Sequence, residues 1–267
     1  AINWGQKSQN IQKIAEILNL GINSFAFVDD NIRERAEVKE SLPMVRVYSD
    51  NEIDQLLSYP EFDVPISTES KNRRYSYQQE VSRQQFREEF ADNYDSFLKS
   101  LEMELTVETV GDENKARCYE LLSRSNQLNL STNRYSPEEY EKLINNKDTL
   151  CYSYRCNDKF GDYGIIAFTS VKLHGSTADL TDFVISCRVA KKRVEEAIIC
   201  TLAQILAKKD IHALNARLIR TKKNGPLASV FEELPFKMES SDNDSIQYYL
   251  QPLDKIEQPQ IIKIHIK

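Results

Sequence analysis

The sequence predicts an α/β chain in two parts: a short parallel unit, then an α+β module whose sheet is mixed and mostly antiparallel. Three observations predict it. Between residues 8 and 42 a helical stretch, a buried-strand run ending in Asp29-Asp30 and a second helical stretch follow one another, the order of a parallel α/β unit. Between 149 and 185 three runs of strand composition are separated by short turns, as in an antiparallel meander. After them, residues 194–208 carry Ala197, Ile198, Leu202 and Ile205 on one helical face.

Each element follows from local pattern. Residues 8–18 place Ile11, Ile14, Ala15 and Leu18 at helical spacing, with Ser8 as N-cap and Gly21 just past the end. Residues 24–28 are an apolar run of strand length, 32–42 a second helix and 45–47 a second strand. Two strands are too few for a parallel sheet covered on both faces, so the missing strands are expected upstream of Ala1 or from another chain. A start without Met predicts a processed product or a fragment, and no secretion signal is visible.

Pro60 and Pro65 mark a linker, and residues 68–90, densely charged with a thin apolar stripe, read as a long solvated helix. Met103, Leu105 and Val107 alternate as a strand, and 112–126 and 137–145 are helical. The meander strands are 149–156, 163–173 and 177–185. After the 194–208 helix come a strand at 214–219, a helix at 226–233 and a strand at 247–250. Residues 261–266 alternate weakly, as an added edge strand would. The expected organisation is therefore an incomplete α/β domain at 1–58, a linker and long helix at 59–101, an α+β domain at 102–252 and a tail at 253–267.

Composition narrows the function classes. The 267 residues hold 35 Lys plus Arg against 41 Asp plus Glu, a net charge of −6, which argues against a whole-surface nucleic-acid binder. No run of about 18 apolar residues occurs, so no membrane span is expected. Cys118, Cys151, Cys156, Cys187 and Cys200 are odd in number and scattered, without disulfide or CxxC spacing, which predicts a reducing cytoplasm. His174, His212 and His265 are too far apart in sequence to suggest a histidine zinc site.

Asp29 and Asp30 close the first strand, the end at which open α/β sheets hold metal and phosphate chemistry. Successive strand side chains point to opposite sides, so one Asp could ligate Mg²⁺ while the other orients a water or a neighbouring ligand. Lys7 stands before a helix N-terminus, where its charge adds to the helix dipole for a phosphoryl oxygen. The same residues also read as a helix cap and a solvated lysine.

Asn3-Trp4-Gly5-Gln6-Lys7-Ser8-Gln9-Asn10-Ile11, followed by Phe27-Val28-Asp29-Asp30-Asn31, resembles the second half of the catalytic domain in FkbH-like proteins of the haloacid dehalogenase (HAD) superfamily, subclass IIIC. The resemblance implies the C-terminal half of a HAD-type Rossmannoid domain acting on a phosphorylated small molecule. It gives Lys7, Asp29 and Asp30 catalytic roles, with both carboxylates serving Mg²⁺. The superfamily's nucleophilic Asp and its Thr or Ser motif, which normally precede this stretch, are not in the sequence. Half a phosphoryl-transfer site is thus implied, with negligible phosphatase activity from this chain alone.

Four further blocks resemble FkbH-like proteins in order and spacing. They are Arg124-Ser125-Asn126-Gln127-Leu128-Asn129-Leu130-Ser131-Thr132-Asn133-Arg134-Tyr135, Phe160-Gly161-Asp162-Tyr163-Gly164, Ser186-Cys187-Arg188-Val189 and Thr221-Lys222-Lys223-Asn224-Gly225-Pro226. This resemblance implies a GNAT-like acyltransferase domain. The block at 186 would lead from a central strand into the helix that receives the pyrophosphate of coenzyme A or of another phosphopantetheine thioester. The implied cofactor-binding residues are Arg188, Val189, Lys191, Lys192, Arg193 and Asn224. Asn126, Gln127, Asn129 and Arg134 are the implied substrate-binding residues, and also read as turn and capping groups.

The pyrophosphate loop of GNAT proteins usually reads Arg/Gln-x-x-Gly-x-Gly/Ala, because glycine admits close backbone approach. Here Lys191 and Arg193 stand at the glycine positions, so that charge either compensates or obstructs. Asp182 lies on the preceding strand, where such enzymes often place a general base, but its alternation with apolar neighbours fits an exposed carboxylate better. Cys187 reads as a small buried residue rather than a nucleophile.

Residues 186–225 hold 10 Lys plus Arg and 3 Asp plus Glu, or +7, which leaves −13 for the remainder. Such a directional field suits an acidic acyl carrier protein with its phosphopantetheine arm, and is equally what a solvated surface would show. The expected function is the C-terminal portion of a HAD-type phosphatase or phosphoryl-linked glyceryl transferase joined to a GNAT-like domain, in polysaccharide or secondary-metabolite biosynthesis. Two alternatives stand beside it: a binding module that recruits a carrier protein or substrate without acyl transfer, and an acetyl-CoA-dependent N-acetyltransferase. Neither nucleic acid nor membrane is an expected partner.

Overall fold

Apolar side chains at helical spacing assemble the first unit, residues 1–77. The computed structural model describes the chain apart from residues 1–2, 4, 19, 63–67, 91–92, 126–127 and 222–223 and, within helices, the side chains of 18, 68–74 and 76–77. Helix α1 (Lys7–Leu18), strand β1 (Ala26–Asp29), helix α2 (Ile32–Ser41) and strand β2 (Arg46–Ser49) follow in order. The strands pair in parallel, Ala26 opposite Arg46 and Asp29 opposite Ser49. Ile11, Val38, Leu42 and Val45 are buried together, with Phe25, Phe27 and Val47 packed on them. Asn31 caps α2 by accepting from Arg33 N at 2.9 Å.

Ser8 is not the N-cap expected from the sequence. The helix already begins at Lys7, and Ser8 is buried in its first turn, donating through backbone N (3.2 Å) and Oγ to the Glu37 carboxylate. A carboxylate from α2 thus sits on the N-terminal turn of α1, where the exposed N–H groups favour an anion.

The second unit, residues 78–267, begins inside helix α3 (Thr68–Glu88). It continues through α4 (Tyr94–Ser100), β3 (Met103–Thr109), α5 (Lys115–Arg124), α6 (Pro137–Ile144), β4 (Thr149–Asp158), β5 (Gly161–His174) and β6 (Thr177–Ile185). Then come α7 (Val194–Ala207), β7 (Ala213–Ile219), α8 (Gly225–Glu233), β8 (Lys237–Ser241), β9 (Ser245–Leu250) and β10 (Ile262–Ile266). The strands form one mixed, mostly antiparallel sheet in the order β10-β3-β4-β5-β6-β7-β9-β8, parallel only at β10/β3 and β6/β7. Helix α7 is apolar on nearly every side and lies within the core with Phe183, Leu214, Leu218 and Tyr248.

The structure adds detail to two sequence expectations here. The C-terminal half of α3 is exposed over most positions, as expected, but its thin stripe is fixed to the core: Arg83 is buried and Phe86 packs with Phe97 and Phe160. The C-terminal tail carries Leu253, Ile256, Ile261 and Ile262 into the same core before β10 joins β3. Among the described residues no helix is long and apolar enough to cross a membrane.

Candidate functional site

At the end of β1, Lys7 Nζ stands 4.0 Å from Asp29 Oδ2, so the first unit does bring these two residues together. The remaining atoms of the edge are engaged locally. Asp29 Oδ1 accepts from Asn31 N at 2.9 Å, and Arg35 Nη1 donates to the carbonyls of Asp29 and Asp30 at 2.6 and 2.9 Å. Asp30 is exposed. The donor set does not fit Mg²⁺: one carboxylate is already shared between a lysine and a backbone N–H, and no three His, Cys, Asp or Glu gather among the described residues.

In the second unit β6 ends at Ile185 and the chain enters α7 through a tight turn at 186–193. Ser186 opens it, accepting from Arg188 N at 3.5 Å and Arg188 Nε at 3.2 Å. Lys191 and Arg193 both adopt left-handed backbone, with φ of 65° and 60°. A positive φ is a conformation that glycine adopts freely and a residue with a side chain adopts at a cost, so this turn holds two cationic residues in a glycine-like backbone.

The turn is braced from several sides. Tyr94 OH donates to the Lys191 carbonyl at 2.8 Å, and Lys191 N donates to Glu195 Oε1 at 3.2 Å. Lys192 is buried: its Nζ donates to the Arg188 carbonyl at 3.0 Å, lies 3.9 Å from Glu80 and stands over the Tyr163 ring. Burial holds the Lys192 ammonium below the usual lysine range, against the pull of Glu80. Arg193 is spent on Glu196, with Nε 3.0 Å from both carboxylate oxygens and Nη2 2.7 Å from Oε2. Val189 is fully buried in the core. Of the implied cofactor residues, Lys191 is the one that presents an exposed ammonium group.

Strands β6 and β7 pair only from Thr177/Ala213 to Leu180/Ala216, although both run further. Residues 128–130 fill the gap that opens. Leu130 N donates to Phe183 O, Ile185 N to Leu128 O and Ile219 N to Leu130 O, each at 2.9 Å. Asn129 thereby bridges Val184 in antiparallel sense.

Asp182 is fully buried, not the exposed carboxylate that alternation suggests. Ser131 Oγ (2.6 Å) and Asn133 Nδ2 (3.0 Å) donate to its Oδ1, and Tyr135 OH (2.8 Å) and Ser170 Oγ (2.6 Å) to its Oδ2. The cause is a register shift against β5: Ser170 faces Asp182 while Val171 faces Leu180, leaving Thr181 as the extra residue of a bulge. Burial, reinforced by Asp182, pushes the Tyr135 phenol up. With four donors on its two oxygens, Asp182 anchors the 131–135 loop rather than acting as a general base.

No protein-family profile and no curated protein matches the sequence. Among solved structures, the chain is similar to the ribosomal-protein-S18-alanine N-acetyltransferase from Escherichia coli, at 13% identity over 55% of this chain and 94% of that one, with a TM-score of 0.44. It is also similar to the PaiA N-acetyltransferase from Thermoplasma acidophilum in complex with coenzyme A, at 17% identity, 55% and 98% coverage and a TM-score of 0.41. The spermidine N-acetyltransferase from Vibrio cholerae in complex with CoA and spermine is similar at 14% identity, 56% and 96% coverage and a TM-score of 0.44.

The remaining sequence candidates divide clearly. Asn126 and Gln127 lie outside the described residues, as do Lys222 and Lys223. Asn129 is a turn residue: its Oδ1 accepts from Ser131 N and Thr132 N, and its Nδ2 donates to Ser125 O. Arg134 donates to the carbonyls of Leu122, Ser125 and Asn133 and so caps the end of α5. Asn224 accepts from Thr221 N and donates to the carbonyls of Asn129 and Ile219, joining the filled gap to the turn before α8. Cys187 is exposed, whereas Cys118, Cys151, Cys156 and Cys200 are buried. Burial pushes each of those four thiols up to about 12, so none is a nucleophile near neutral pH.

Sequence reasoning missed Tyr94 and Glu195 as braces of the turn. An acidic pair one residue after a cationic run, Glu195-Glu196 behind Lys191 to Arg193 and Val194, is the signal that could have found Glu195.

Proposed function

We propose that residues 78–267 form an acyl-group transferase domain whose donor is an acyl thioester on a phosphopantetheine arm, with coenzyme A as its carrier. The observation that carries this reading is the turn between β6 and α7. Its backbone is left-handed at Lys191 and Arg193, where the pyrophosphate loop implied by the sequence resemblance has glycine. Lys191 adds an exposed positive charge beside the start of a 14-residue helix, which suits a phosphate. The residues fit the pyrophosphate part of the donor. They do not provide an open place for its amide-bearing arm, because residues 128–130 hold the gap between β6 and β7.

Calorimetric titration with coenzyme A and acetyl-CoA tests the reading. Saturable binding is expected, weakened about three- to tenfold by Lys191→Glu and by added salt. Absence of saturable binding up to about 1 mM, a range in which even weak ligands register, overturns it if the wild-type chain and a Tyr135→Phe variant, which loosens the hold of Asp182 on the 131–135 loop, both fail. Binding of an acidic carrier protein, but not of free coenzyme A, would instead place the arm on that partner.

For residues 1–77 the approach of Lys7 to Asp29 favours a second, separate reading: a phosphate-facing edge, half of the phosphoryl-transfer site implied by the resemblance. The nucleophile and a Mg²⁺ donor set are lacking among the described residues, so no hydrolytic step is assigned to it. Phosphate-ester turnover dependent on Mg²⁺ and abolished by Asp29→Asn would overturn this view of an incomplete site.

A further inference from the structure

Strands β6 and β7 leave each other after Leu180 and Ala216, and the edges that then face one another carry backbone groups that need partners. Phe183 O, Ile185 N and Ile219 N are three such groups, and all three are satisfied by residues 128–130. Leu128, Asn129 and Leu130 are buried there. The loop after Leu130 is fastened by side chains. Ser131, Asn133 and Tyr135 all donate to Asp182 on β6, and Asn224 holds the Asn129 carbonyl at 3.1 Å.

A gap between separating parallel strands, at their carboxyl ends, is where α/β sheets receive ligands. The ligand chemistry that matches two facing strand edges is an extended chain with amide groups at strand-like spacing, which adds to the sheet by backbone hydrogen bonds. A pantetheine arm is such a chain, with two secondary amides. We propose that residues 128–130 are an internal plug that occupies the place of this arm, latched by Asp182, and that the donor enters only when the plug leaves. The inference rests on the donor reading above and adds its regulation. Affinity for the donor is then reduced by the fraction of molecules in which the gap is open, and loosening the latch raises that fraction.

Tyr135→Phe and Ser131→Ala each remove one donor from Asp182 without touching residues 128–130, and their folding is checked by far-UV circular dichroism. Each is expected to tighten coenzyme A binding on the order of tenfold, the effect of one hydrogen bond to a charged group on a closed-to-open equilibrium. Amide hydrogen exchange in the wild-type chain gives an independent readout. At saturating coenzyme A the Leu130 amide should lose protection, while Ile185 and Ile219 keep theirs because the ligand replaces their partner. Affinity equal to wild type in both variants, or a Leu130 amide still protected in the saturated complex, overturns the plug and leaves the donor reading standing. Failure of all three proteins to bind coenzyme A overturns the donor reading itself, and the plug with it.

Discussion

Arg83 and Asp158 meet as a two-pronged pair inside the second unit, Nε to Oδ2 at 2.7 Å and Nη2 to Oδ1 at 2.9 Å, with both side chains almost without solvent contact. Asp158 also accepts from Phe160 N, Gly161 N and Tyr163 OH, and the guanidinium lies 4.0 Å from the centre of the Tyr163 ring. One carboxylate therefore ties α3 to the β4–β5 turn.

Removing the arginine leaves that carboxylate buried without a counter-charge. Arg83→Ala should cost about 3–5 kcal/mol in denaturant unfolding, the loss typical of one broken partner of a buried pair. Arg83→Lys keeps the charge but not the fork, and should cost less, about 1–3 kcal/mol. Equal loss in both variants would mean that packing against Tyr163, not the charge, supplies the stability.

Gly161, in the same turn, has φ of +144°, and a Cβ built there would lie 2.0 Å from Gln79 Nε2. The long side chain of Gln79 can swing aside, but the backbone cannot. Gly161→Ala should therefore destabilise by about 1–3 kcal/mol through backbone strain. Adding Gln79→Ala should recover only a minor part, as read from urea midpoints of the single and double variants. Full recovery would assign the cost to the collision.

Legibility in the sequence tracks where the burial energy lies. Strands β4 to β6 and helix α7 bury apolar side chains at regular spacing, and their pattern predicts them nearly to the residue. Strand β8 is invisible to pattern because all five of its residues are exposed, and it exists through backbone pairing with β9 alone. The burial of Arg83 and Asp182 is equally hidden. Their partners come from 75 and about 50 positions away, and a charged residue on a polar helix or in an alternating strand looks solvated until those partners arrive. The strand end at Asp29 and the helix start at Lys7 are each readable as local features, whereas their approach to 4.0 Å is a tertiary contact. The plug is not, since residues 128–130 look like any apolar turn until β6 and β7 separate around them.

The left-handed backbone at Lys191 offers a direct check on the turn. An L-residue with a side chain pays roughly 1–2 kcal/mol to sit there, and glycine does not. Lys191 makes its bonds through backbone N and O, which glycine retains. Set against the larger unfolded-state entropy of glycine, Lys191→Gly should raise stability by about 0.5–1 kcal/mol in chemical unfolding. A loss of stability would show that the lysine stem contributes packing that exceeds the strain.

Glu195 gives the turn a pH dependence whose sign is fixed by its surroundings. Burial raises its carboxyl above the usual range, and Glu196 adds to this, while hydrogen bonds from backbone N–H groups, Lys191 N among them, and the charge of Lys192 oppose it. In the window between the ordinary glutamate value and the raised one, the folded chain binds more protons than the unfolded one, so this group's contribution falls as pH rises. That contribution is complete below the unfolded value and lost once pH passes the folded one. Glu195→Gln keeps an oxygen for Lys191 N but cannot ionise. The variant should match wild type at the acid end of the window and exceed it in stability at neutral pH and above. Unfolding free energies of both proteins, measured across that window, should therefore diverge with rising pH. Parallel curves would mean that the carboxylate of Glu195 is solvated in the folded chain.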